Sequence, residues 1–186
     1  GQINILVVNA RHMKNVPGRK TDMRDAQWIA TLLRAGLLKG SFIPDKTFRE
    51  LRHLTRYRKS IVRDITAQKN RIDKFLQSSG FRFTAFLSDA FGASGRNIIR
   101  HLMEYGNISR EALDRCLKTQ TRKRIDEILI ALNGSLSEHQ RGFLRMIFGH
   151  LEALEQHRHT VEDAITKEIT KHEEALSLLC SIPGID

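Results

Sequence analysis

Between Asp45 and Ser79, apolar residues recur on alternating steps of three and four. Leu51, Leu54, Ile61, Ile65, Ile72 and Phe75 form the run, with Arg58 and Gln68 at the polar positions of the same seam. This is a heptad pattern held over about four repeats, the signature of a coiled coil. At about 1.5 Å per residue such a helix is on the order of 50 Å long, too long for a small globular core. Ser78-Ser79-Gly80 ends it. A second heptad run comes late, through Leu144, Ile147, Leu151, Leu154, Val161 and Ile165, with Arg158 interrupting. Ser137 and Gln140 open it at capping-box spacing. Two such helices in one chain can close on each other as an antiparallel hairpin, and each also offers a seam to another subunit.

The stretch between them, 81–136, breaks into shorter pieces: Phe86 to Tyr105, Glu111 to Leu117 after a Ser109 cap, and Arg122 to Leu132. These are expected to form a small helical tip on the hairpin. Ahead of the hairpin, Ile3 to Val8 is the one convincing strand, and a lone strand needs partners from elsewhere. A basic loop, Arg11 to Lys20, follows it. Thr21 then caps a helix over Asp22–Arg34 that Gly36 closes, its stripe of Trp28, Ile29, Leu32 and Leu33 expected to pack on the strand. Pro44 marks 41–44 as a linker. The expected fold class is mainly α: a long antiparallel coiled-coil hairpin with a small helical tip, preceded by a strand-loop-helix segment. The domains read as 1–40, the linker 41–44, a helical region 45–179 with its insertion at about 81–136, and a closing segment 180–186. The chain opens on a strand-like run without an initiator Met and stops just past a Pro-Gly turn, so it is expected to be a piece of a longer protein.

The net charge of +10 is unevenly placed. Residues 1–80 hold 17 Lys and Arg against 6 Asp and Glu, whereas 81–186 hold 14 against 15. A basic half joined to a neutral half points to a surface that meets a polyanion, usually nucleic acid. Arg52, Arg56, Arg58, Lys59 and Arg63 crowd about three turns of the first long helix, and Arg11, Lys14, Arg19 and Lys20 crowd the loop. The bland alternative is a solvated coiled-coil flank. The two cysteines, Cys116 and Cys180, read as buried thiols in a reducing cytoplasm. His157 and His159 fall on different helix faces, against a zinc site. No apolar run approaches the ~20 residues needed to cross a bilayer.

Asp22 and Asp25 carry the sharpest chemistry. Carboxylates three apart on a helix share a face and can reach one divalent cation; Mg²⁺ takes a few such oxygens and completes its shell with water and substrate phosphate. Arg19 and Lys20 just before them are placed to steer a phosphodiester. The competing explanation is that acidic residues in a first turn complement the helix dipole.

The block Asn9 to Ala26, with its Gly18-Arg19-Lys20-Thr21-Asp22-x-x-Asp25 core, resembles the second half of the DEDD motif region in transposases of the insertion sequence 110 family, relatives of the pilin-gene invertase. The resemblance continues through Leu32 to Leu38, Ser41 to Pro44, Arg49 to Arg52 and Leu54 to Arg58, and returns at Leu178 to Ile185. It implies that 1–40 closes a RuvC-like domain of ribonuclease H fold, and that Asp22 and Asp25 stand at the third and fourth acidic positions. It further implies Mg²⁺ as cofactor and DNA and a structured guide RNA as partners. Also implied are dimers or higher oligomers, a bacterial cytoplasmic setting, and a C-terminal domain with a serine nucleophile that no residue here matches. Pro183-Gly184-Ile185 resembles a helix-hairpin-helix turn, with Asp186 where many such turns carry Gly. On this reading the intact protein is a recombinase that moves DNA by RNA-guided, metal-dependent cleavage and rejoining. The present chain, with two of four acidic ligands, binds nucleic acid but does not cut it. The competing reading is a non-catalytic basic coiled-coil module, binding nucleic acid or an acidic protein.

Overall fold

The computed structural model describes residues 5–9 and 22–184, the side chains of 22–25 excepted. The chain divides into two compact units, residues 1–50 and 51–186.

In the first unit, α1 (Asp22–Arg34) ends on Gly36 at φ +69°. Leu37 N–H reaches back to the Leu32 carbonyl (3.0 Å) and Gly36 N–H to that of Leu33 (3.1 Å). This double return closes the helix as the sequence leads one to expect and satisfies carbonyls that would otherwise be left open. The expected strand is corrected. Among the described residues Val8 makes one isolated antiparallel bridge to Gly40, supported by Ser41 N–H donating to the Val7 carbonyl (2.7 Å). A single rung makes no sheet face. Accordingly only Leu32 of the expected apolar stripe is buried; Trp28 is half-buried, and Ile29 and Leu33 are exposed. Thr21, the expected cap, lies outside the described residues.

The second long element, α2 (Lys46–Ser78), starts where the Asp45 carboxylate accepts from Phe48 N–H (3.0 Å). It ends as α1 does: Gly80 has φ +88°, and Phe81 N–H returns to the Leu76 carbonyl (2.9 Å). Beyond it come a 3₁₀ turn (Phe83–Phe86), α3 (Ala93–Tyr105), α4 (Arg110–Cys116), α5 (Thr119–Arg122) and α6 (Ile125–Ile130). The long α7 (Glu138–Ile169) follows, opened by the capping box between Ser137 and Gln140. A further 3₁₀ turn (Thr170–His172) leads into α8 (Glu173–Cys180). The molecule is thus mainly helical.

Contacts between α2 and α7 pair rising numbers with falling ones. Arg58 binds Glu162 (2.8 Å), the Gln68 amide donates to the Ile147 carbonyl (2.6 Å), and Phe75 meets Phe143 edge-on (5.1 Å between centroids). The two helices therefore run antiparallel. Ile61, Ile65, Ile72 and Leu76 face Leu144, Ile147, Phe148, Leu151, Val161 and Ile165 in one buried cluster, with Leu51, Leu54, Phe75 and Leu154 packed at its margin. Gln68 is buried among them and also accepts from Arg71. A buried amide without partners costs about 1–3 kcal/mol, so this bond favours the register that provides one.

The insertion does more than cap a tip. Arg96 binds Glu155 (2.6 Å), Arg100 binds Glu152 (2.9 Å) and Arg145 donates to the Met103 carbonyl (2.7 Å), so α3 lies along α7 over half its length. Glu155 also faces Lys69 of α2 (4.0 Å), one carboxylate tying three helices. The physical reason is apolar content: Ile98, Ile99, Leu102, Leu113, Ile128 and Leu144 are all fully buried and share the hairpin's core. The expected helix from Phe86 begins only at Ala93, because the loop before it folds back until the Ala90 carbonyl fills the place a Gly95 side chain would need. The expected Arg122–Leu132 helix is split between α5 and α6. Cys116 is half-buried and Cys180 exposed, both free thiols, which corrects the expectation of two buried ones.

Candidate nucleic-acid interface

An α-helix turns about 100° per residue, so positions i, i+4, i+7 and i+11 lie near one line along it. Arg52, Arg56, Lys59 and Arg63 occupy such positions on α2, and all four are exposed. The residues α2 buries (Ile61, Ile65, Gln68, Ile72 and Leu76) centre on the opposite face. The apolar seam thus fixes where the cations point: burying one side of the helix turns the other outward. Among the described residues none of these four makes an ion pair, whereas most other arginines of residues 51–186 are bound to carboxylates or carbonyls. The stripe continues through exposed Thr66 and Asn70 to exposed Lys74. Lys74 was not among the candidates from sequence; its spacing of three turns from Arg63 is the signal that finds it.

Arg58 does not join the stripe. It sits on the flank nearer the core, where its guanidinium bonds Glu162 across the helix pair, beside Arg158 (3.7 Å from the same carboxylate). Clustering in sequence places Arg58 with its neighbours; helical geometry separates it from them. Tyr57, about 100° around the helix from Arg58, is exposed on the other flank.

Asp22 and Asp25 lie on the first turn of α1, and their side chains are outside the description, as are Arg11, Lys14, Arg19 and Lys20 altogether. Among the described residues no cluster of three or more His, Cys, Asp or Glu could hold a metal ion. No helix of the described residues is long and apolar enough to cross a membrane.

The heptad residues offered to another subunit are already used. Ile61, Ile65, Ile72, Leu144, Ile147, Leu151, Val161 and Ile165 are buried inside the single chain, and Leu51, Leu54 and Leu154 pack at the same core's margin. A seam filled from within leaves little apolar surface for a partner helix.

Residues 1–80 match the DEDD transposase family of insertion sequence 110. The matched span covers α1 and α2 and ends just past the last residue of α2, so it contains the whole stripe and both aspartates. It also coincides with the basic half of the chain. Residues 81–186, which carry the neutral half and the rest of the core, lie beyond the match. No curated protein and no solved structure matches the chain. The match supports a transposase role.

Proposed function

We propose that this chain is the nucleic-acid-holding part of a DNA transposase of the insertion sequence 110 kind, gripping a phosphate backbone along the exposed face of α2. The observation that carries the reading is the row Arg52, Arg56, Lys59 and Arg63, without ion pairs among the described residues and set opposite the buried face of α2. Such a row tracks a backbone and carries no base code by itself. It serves a DNA duplex and a structured guide RNA alike. The loop cations Arg11, Lys14, Arg19 and Lys20, named from the sequence, are further candidates for phosphate contact.

In the intact recombinase Asp22 and Asp25 would hold Mg²⁺. The pair fits a hard cation that takes few carboxylate oxygens, and an i, i+3 spacing on a first helical turn puts two within reach of one ion. The bound ion would supply charge stabilisation at the phosphodiester and orientation of the attacking oxygen. The residues of this chain bind and align the strand; with two of the four acidic positions, the chain alone does not cut it. Self-association, if it accompanies strand exchange, uses a surface other than the closed heptad seam.

The test is a salt titration of binding to duplex DNA and to a structured RNA of equal length, with Mg²⁺ present so that cutting is read in the same mixtures. At least four phosphate contacts should give a slope of about −3.6 in log affinity against log salt on B-DNA, and somewhat less on single strands. Absence of binding at low salt would sink the reading. Mg²⁺-dependent nicking that disappears in Asp22→Asn would instead show that the chain is a catalyst in its own right.

A further inference from the structure

A second feature of residues 51–186 has the chemistry of a nucleic-acid contact and owes nothing to the stripe. α3 ends at Tyr105, because Gly106 takes φ +80° and turns the chain away. α4 starts only five residues later, behind the Ser109 cap, whose hydroxyl accepts from Ala112 N–H. The two helices leave a groove between them, two adjoining hollows of about 430 and 280 Å³ that share His101, Ala112 and Arg115. Tyr105, the last residue of α3, has no following helical turn to cover its ring. It is 58 % exposed, and its other face lies on His101, ring centroids 4.6 Å apart and tilted by 35°.

Arg115 reaches the same groove from α4. Among the described residues it makes no ion pair; its charge is felt at His101, at Tyr105 and at the Glu111 carboxylate, and the Glu104 carboxylate beside the same hollow raises the Tyr105 pKa by accepting from its hydroxyl. Burial lowers the His101 pKa, which keeps the imidazole a neutral ring beneath the tyrosine at neutral pH. Asn97, Asn107 and Ser109 add hydrogen-bonding groups at the rim. An aromatic face backed by a second ring, an uncommitted guanidinium and side-chain amides are together what single-stranded nucleic acids are gripped with: the base stacks, the phosphate meets the cation. A Tyr–His pair at i, i+4 is also an ordinary helix-surface contact. That reading explains the rings; it leaves over a guanidinium that, with the Glu104 carboxylate lining the smaller hollow and Glu111 on its own helix, is ion-paired to neither among the described residues.

We infer that the groove between α3 and α4 holds one unpaired nucleotide, its base stacked on the exposed face of Tyr105 and its phosphate on Arg115. The inference rests on the reading that this protein handles nucleic acid, and adds that it recognises strands opened out of a duplex. Such strands arise on both sides of the proposed reaction, in the loops of a folded RNA and in DNA being exchanged, and the stacking chemistry is common to the two.

The full chain, its Tyr105→Leu and Arg115→Gln variants, and fluorescently labelled oligothymidylate, oligouridylate and a blunt DNA duplex decide the matter by anisotropy. Tyr105→Leu should weaken one or both single strands by roughly ten-fold, the effect of losing about one stacked base, and leave the duplex within about two-fold. Arg115→Gln should show the same selectivity, and it carries the test if the leucine variant does not fold. The strand that loses more names the source, ribose or deoxyribose. Equal losses on single strands and duplex, or none on either, would overturn the groove while leaving the stripe intact. If wild-type protein binds neither, the nucleic-acid reading itself falls, and this inference with it.

Discussion

Changing Arg52, Arg56, Lys59 and Arg63 together to Gln should flatten the salt dependence of DNA binding by about 3–4 units of slope. Each phosphate neutralised on B-DNA contributes about 0.9. Across a four-fold rise in salt, four contacts correspond to a loss of affinity of roughly a hundred-fold, and the variant should be spared that loss because it never makes the contacts. Its binding at low salt should already be weak. Folding should be unaffected: the four side chains are exposed and, among the described residues, make no ion pair, and Gln is nearly as good a helix former as Lys or Arg. Arg58→Gln is the informative control. It removes a cation from the same stretch of sequence, yet that cation is bonded to Glu162 and turned toward α7. It should therefore cost stability, by at most about 1 kcal/mol for so exposed a pair, and leave the slope unchanged. If Arg58→Gln lowers the slope as much as a stripe residue does, bulk charge and not the line of cations governs binding. Titrating the four single Gln variants of the stripe and Arg58→Gln against one duplex separates the two.

The second large effect is expected at Gly134, where the chain packs against itself. The insertion leaves α2 at Gly80 and rejoins the chain toward α7 at Gly134, and there the two backbones touch. A Cβ on Gly80 would stand 3.0 Å from the Gly134 Cα, and one on Gly134 would run into the Ser79 carbonyl and lie 2.8 Å from the Phe81 ring. Phe81 is fully buried and cannot swing aside. Gly134→Ala should thus destabilise by about 2–3 kcal/mol, the range for forcing atoms into a filled site. For a chain of this size that lowers the melting temperature by roughly 5–10 °C. Gly142→Ala, in the second turn of α7 where a Cβ meets nothing, should act in the other direction, by up to about 1 kcal/mol. Calorimetry on the two variants gives opposite signs if the backbone crossing is real. Equal small effects would mean that the chain passes Ser79 with room to spare.

What could be read from the residues alone was whatever is decided within one or two helical turns. Gly36, Gly80, Ser109 and the Ser137–Gln140 pair end or begin helices through bonds to near neighbours, and their chemistry shows in the sequence. The heptad spacing likewise marks the face of α2 that is buried, and so the opposite face that carries the cations. The same spacing sets Arg58 on the seam side, apart from the stripe, but not its partner, Glu162, 104 residues later. Nor does it set the course of the insertion. Its helices are amphipathic by themselves, and nothing local says that α3 lies along α7 until Arg96 and Arg100 find Glu155 and Glu152. The break before Ala93 depends on a carbonyl, that of Ala90, occupying the space beside Gly95. The strand failed for a related reason: Ile5 to Val8 has strand composition, but only Gly40 comes beside it in the described residues. Asp22 and Asp25 remain a matter of spacing and family likeness.

The reach of α3 along α7 has a consequence for the order in which the molecule comes apart. Up to Glu155, α7 is held by two helices; beyond it, within residues 51–186, α2 alone lies against it. Burial thins in the same direction, from Ile72 and Leu76 at full enclosure to Val161 and Ile165 and then to the half-covered Leu51 and Leu54. The contacts there also close the widest loops in the chain, which form late and are the least rewarded for their entropy. The open end of the helix pair is therefore the lowest-cost region to unfold, while the three-helix end persists. Arg52, Arg56 and Lys59 stand on that fraying arm. A bound phosphate backbone would splint it, and slow amide exchange spreading from Leu76 toward Arg52 on adding nucleic acid would be the trace it leaves.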